Sequence, residues 1–131
     1  MRGDEDILPL TNANDLETGY SAQDLLDVEE KDIAKVGQTG TLQYMIHQFK
    51  DYVGATTSCN IDWSGQSDLA PNRSIVKLQI FNRISNEWDD VDSDNTTEDN
   101  TAFDLSGNIA DLSDYKDGNT VISCRVYQEA I

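Results

Sequence analysis

The sequence holds one histidine and two cysteines, the residue types used most often to activate a nucleophile or to bind a soft metal ion. The motifs that would organise them are missing. His47 lies in an alternating stretch opposite Leu42, Tyr44 and Ile46, and no nucleophile motif links a serine or cysteine to it. Gly-x-Ser-x-Gly, Gly-x-Gly-x-x-Gly and the P-loop do not occur. Cys59 and Cys124 are not in Cys-x-x-Cys spacing, and a zinc site would need more ligands than one histidine supplies. Carboxylates abound, but 25 acids allow so many pairs that none singles out a glycosidase site. No catalytic residue is assigned, and the chain is read as a non-enzyme.

The run Asp90-Val91-Asp92-Ser93-Asp94-Asn95 begins as a calcium loop begins, with oxygen ligands at alternate positions. It departs from that pattern at Asn95, where glycine is wanted, and at Thr101, where a bidentate glutamate is wanted. A solvated acidic loop is the favoured reading, with a looser calcium cage of Asp92, Asp94, Glu98 and Asp99 as its alternative; no other cofactor is expected. Among the aromatics, Trp63 shares a strand face with Cys59 and Ile61 and is assigned to the core. Trp88 and Tyr115 lie beside acidic loops and are the candidates for an exposed partner or glycan surface. Arg2-Gly3-Asp4 is taken as a chance tripeptide, and the sequons at Asn72 and Asn95 as turn chemistry.

These side chains must be positioned by one domain, since 131 residues suit a single core. No apolar run is long enough to form a membrane-spanning helix, and the acidic start lacks the layout of a secretory signal. The expectation is synthesis in the cytoplasm, with use there or exit by another route such as assembly into a particle released on lysis, and with no membrane partner. A formal charge of −16 repels a phosphate backbone, so nucleic acid is not expected as a partner either. Residues 1–32 hold ten acids and residues 89–131 eleven, while 33–88 hold four acids against five bases and form the expected core.

Residues 1–20 are read as a flexible acidic arm and 21–131 as the folded domain, with 21–36 open between helix and strand. Period-two alternation predicts strands from Thr41, at Ser58–Trp63, at Ser74–Arg83, at Glu87–Val91, around Phe103 and Leu105, and at Thr120–Gln128. Ser85-Asn86 marks a hairpin, Asp92–Thr101 a loop, Ser106-Gly107-Asn108 a strand end, and Asp111–Asp117 a helical turn before Gly118-Asn119. Short strands at this spacing predict an all-β, antiparallel β-sandwich of jelly-roll or immunoglobulin-like type. Alternation also turns Cys59 and Cys124 inward, as free buried thiols or, if their Cα atoms come within about 7 Å, as a disulfide.

Trp63-Ser64-Gly65-Gln66-Ser67, Val76–Arg83, Trp88 and Cys124-Arg125-Val126-Tyr127-Gln128 together resemble small jelly-roll or immunoglobulin-like modules of phage structural proteins and bacterial surface proteins. The resemblance spans about residues 41–128 and is carried by core and turn residues. It implies a virion protein that decorates a capsid or sits on a tail. Its partners would be other virion proteins, such as a major capsid or tail protein, with homo-oligomerisation left open. The alternative is a carbohydrate-binding module of a surface protein.

Overall fold

The structure, a computed structural model, describes residues 2–5 and 44–129. Among the described residues seven strands form in chain order: β1 (Arg2–Glu5), β2 (Tyr44–Tyr52), β3 (Cys59–Gly65), β4 (Val76–Asn82), β5 (Glu87–Asp94), β6 (Phe103–Ile109) and β7 (Val121–Glu129). The described residues contain no α-helix, and hence none long and apolar enough to cross a membrane. All pairings are antiparallel, in a five-stranded sheet of order β1-β2-β7-β4-β5 and a two-stranded sheet of β3 and β6. The fold is thus an all-β arrangement of two sheets around one core. Within the segment read as an arm, Arg2–Glu5 pair along β2, and the rest of that segment, like 21–36, lies outside the described residues.

Alternation places the core between the sheets. Val76, Leu78 and Ile80 of β4 and Ile122, Cys124 and Val126 of β7 meet Ile61 of β3 and Phe103 and Leu105 of β6 in one buried cluster. Leu112, fully buried, joins it from the β6–β7 connection, where its carbonyl accepts from the Tyr115 and Lys116 amides in a single helical turn. Trp63 packs on Phe103 with ring centroids 5.5 Å apart, and it closes over Gly65, whose added Cβ would enter the indole. The β4–β5 hairpin turns where Asn82 Oδ1 accepts from the Ile84 and Ser85 amides and Asn86 takes a left-handed φ of 58°, a conformation asparagine tolerates.

Two predicted boundaries need correction. Asp92 to Asp94 continue β5 instead of opening a loop, because β5 is an edge strand on which acids can face water while the backbone pairs with β4. The pairing skips Val91, a bulge that separates Asp90, opposite Gln79, from Asp92, opposite Leu78. Likewise Ser106-Gly107-Asn108 does not end β6, which runs to Ile109. A Cβ on Gly107 would lie 2.5 Å from Val91 Cγ1, so glycine is required there by the close approach of β5 and not by a turn.

Candidate functional site

The five-stranded sheet has a second face, turned away from the core. Register places Tyr44, Ile46 and Gln48 of β2, Ser123, Arg125 and Tyr127 of β7, Lys77, Gln79 and Phe81 of β4, and Trp88 and Asp90 of β5 on it together. Ile46, Gln48, Gln79, Phe81, Ser123 and Arg125 are buried there, whereas Tyr44, Lys77, Trp88 and Tyr127 are half-exposed.

Across this face runs a ladder of rings and guanidinium groups. Tyr44 meets Tyr127 edge-on at 6.0 Å, and the Arg125 guanidinium lies 5.4 Å from the Tyr127 ring and 4.3 Å from that of Trp88. Trp88 in turn meets Phe81 edge-on at 5.2 Å, and Arg83 covers the Phe81 ring at 5.2 Å. Both cations sit within reach of ring faces that attract positive charge. Hydrogen bonds fix the ladder: Arg125 Nε donates to Gln79 Oε1 at 2.8 Å, Gln79 Nε2 to Asp90 Oδ1 at 2.7 Å, and Lys77 Nζ pairs with Asp90 Oδ2 at 3.4 Å. Arg83 donates to the Tyr115 and Val121 carbonyls and to Ser123 Oγ. Desolvation draws the Arg125 pKa down to about 10, opposed by Tyr127 and Asp90, so the group keeps its charge at neutral pH. Burial also pushes the Tyr127 hydroxyl up.

The two aromatics expected to share a surface are separated. Trp88 belongs to the ladder, but the next residue, Asp89, faces the core side, and Tyr115 follows it there, donating its hydroxyl to Asp89 Oδ2 at 2.9 Å. Tyr115 packs against the core cluster, and burial together with Asp89 raises its pKa.

The acidic run is occupied with backbone donors. Asp92 accepts from the Ser93 amide and, across to β6, from the Ser106 amide at 2.9 Å. Asp94 accepts from the Thr96 and Thr97 amides and the Thr97 hydroxyl; burial raises its pKa, but these bonds outweigh it and the carboxyl lies below its ordinary range. Asp99 accepts from Asn100 Nδ2, and Glu98 is exposed. Among the described residues no group of three or more His, Cys, Asp or Glu side chains is arranged to hold a metal ion. His47 is half-buried on β2, opposite Val126. Cys59 and Cys124 are free thiols, the first half-buried and the second buried.

Sequence reasoning missed two features. The ladder was only partly visible, as aromatic and charged residues alternating with core residues in β4 and β7; their adjacency depends on long-range register. The other is a shallow open groove on the outward face of the small sheet, lined by Asn60, Asp62, Ser106, Gly107 and Asn108, with Asn108 Nδ2 donating to Asn60 Oδ1 at 2.8 Å. No family model, curated protein or solved structure matches the chain.

Proposed function

We propose that this chain is a non-enzymatic binding protein of a virus particle, a capsid-decorating or tail-associated component seated on an assembled protein lattice, with a jelly-roll or immunoglobulin-like sandwich as its rigid body. The observation that carries the reading is the Tyr44–Tyr127–Arg125–Trp88 ladder. Tryptophan, tyrosine and arginine are the residue types that dominate binding energy at protein interfaces, and here hydrogen bonds through Gln79 and Asp90 hold the Arg125 guanidinium against the Trp88 and Tyr127 rings before any partner arrives. Half-exposed rings on a stiff sheet lose little side-chain freedom on docking. The charge of −16 adds long-range attraction to a basic lattice and sets the rate of encounter more than the final affinity. Synthesis in a host cytoplasm followed by residence in the virion completes the reading. Mass spectrometry of gradient-purified particles tests it: a fixed copy number per particle is expected, and absence of the chain from them overturns it.

A second reading, a carbohydrate-binding module, is favoured by the Asn60–Asn108 groove, whose amides and carboxylate suit sugar hydroxyls. A glycan array separates the two. Binding to one sugar class that Asn108→Ala abolishes would favour the module, and flat signals would remove it.

A further inference from the structure

Cys59 and Cys124 come from opposite sheets, 65 positions apart in the sequence, yet both side chains belong to the same packed region: Cys124 lies in the core cluster and Cys59 packs against it. The chain enters β3 from the end of β7 where the Val53 amide donates to the Thr120 carbonyl, and it leaves at the other end, where Ser67 Oγ donates to Gln128 Oε1. β3 therefore runs along β7 across the core, with its inward residues Cys59, Ile61 and Trp63 over the inward residues of β7. In register, Cys124 lies opposite Phe49 of β2, and Asp51 is the next residue of β2 on that face. Asp51 acts on both thiols. Burial chiefly, and Asp51 after it, raise the pKa of Cys59; burial, then Cys59, then Asp51 push that of Cys124 up to about 12. Both thiols thus belong to one packed region on the core side of the large sheet, which Asp51 borders.

We infer that Cys59 and Cys124 are a redox pair, reduced as they stand here, which a low-molecular-weight disulfide converts into a covalent staple between the two sheets. The half-buried Cys59 reacts first. Its thiolate attacks one sulfur of the oxidant RSSR, forming a mixed disulfide and releasing RS⁻, which takes up the proton that Cys59 has lost. Cys124 then gives up its proton and attacks the Cys59 sulfur, forming the inter-sheet S–S bond and releasing the second RS⁻, which is protonated in turn. Two thiol hydrogens and two electrons pass to RSSR, giving two RSH. Since the thiolate is the attacking species and both thiols hold their protons more tightly than usual, the reaction is slow at neutral pH and speeds up about tenfold per pH unit in mildly alkaline buffer. Once closed, the bond constrains the unfolded chain across a long loop, and resistance to urea rises.

The experiment incubates the reduced protein with oxidised glutathione in mildly alkaline buffer, quenches with acid, denatures, alkylates remaining thiols and maps peptides without reductant. The expected product is a monomer with no alkylated cysteine, one peptide linking Cys59 to Cys124, and a higher urea midpoint. Cys124→Ser should stop at the glutathione adduct on Cys59, and Cys59→Ser should leave Cys124 unreacted in the folded protein. Two alkylated cysteines in the wild type, a persistent adduct on Cys59, or a disulfide-linked dimer would each overturn the inference. The wild-type map decides the matter even if a serine variant fails to fold.

Discussion

Replacing Gly107 by alanine probes how tightly the bulged edge of the large sheet closes on the small one. The new Cβ would stand 2.5 Å from Val91 Cγ1 and 3.3 Å from the Val91 carbonyl oxygen, where ordinary contacts begin at 3.4 Å. Relief of roughly an ångström is needed. Valine is stiff about χ1, so Val91 cannot simply swing aside, and either it leaves its rotamer or β5 shifts against β6. Overpacking of this kind costs about 1–3 kcal/mol, and moving β5 would also strain the Asp92 to Ser106 hydrogen bond. Val91→Ala removes the offending methyl and by itself costs about 1 kcal/mol of lost packing. Gly107→Ala placed in that background should cost little, a coupling of about 1–2 kcal/mol between the two sites. Urea unfolding of the four proteins, with unchanged m-values, provides the measurement. If Gly107→Ala is neutral in the wild type, or the two changes add without coupling, the contact between bulge and strand is not as described.

Arg125→Ala should destabilise by about 2–4 kcal/mol, since it removes the cation between two rings and leaves the buried Gln79 carbonyl oxygen without its donor; urea midpoints report it, and a loss below about 0.5 kcal/mol would contradict the ladder's role in the fold. Alkaline pH tests Cys124. Its folded pKa is raised from 9.0 to about 12, so its contribution to stability is complete below pH 9 and is lost as pH rises towards 12. From pH 8 to 10 that loss is about 1.4 kcal/mol in the reduced protein, and a flat profile over this window would contradict burial of the thiol. Asp94 has the opposite sign: its lowered pKa gives stability that is present above the ordinary carboxylate pKa and lost as pH falls through the folded value. Asp94→Ala should remove that acid dependence and cost about 1 kcal/mol at neutral pH, as read by thermal melts across a pH series.

Legibility in the sequence followed local periodicity. β3, β4 and β7 alternate between core and off-core positions, so the faces of Ile61, Leu78 and Cys124 could be read from spacing alone. The end of β5 could not, because an edge strand carries charge where a buried strand carries valine, and Asp92-Ser93-Asp94 then reads as loop. Gly107 was read as part of a strand end because a glycine required by a neighbouring strand looks the same in one sequence as a glycine required by its own φ. The ladder face was legible as residue types, with Trp88 singled out. That Trp88 joins Arg125 and Tyr127 while Tyr115 turns away depends on the β4–β5 and β4–β7 registers, which are pairings between distant segments.

Quantitative binding to the particle tests the proposed function most directly. Labelled wild-type chain and Trp88→Ala, the latter shown to be folded by its urea midpoint, are mixed with gradient-purified particles stripped of this component and then sedimented. Saturable binding of the wild type at a fixed stoichiometry is expected, with a loss of at least about thirtyfold in affinity for Trp88→Ala, the ~2 kcal/mol of an interface hot spot. Equal affinity of the two would contradict the ladder as the docking surface, and failure of the wild type to sediment with any particle would contradict the structural role itself.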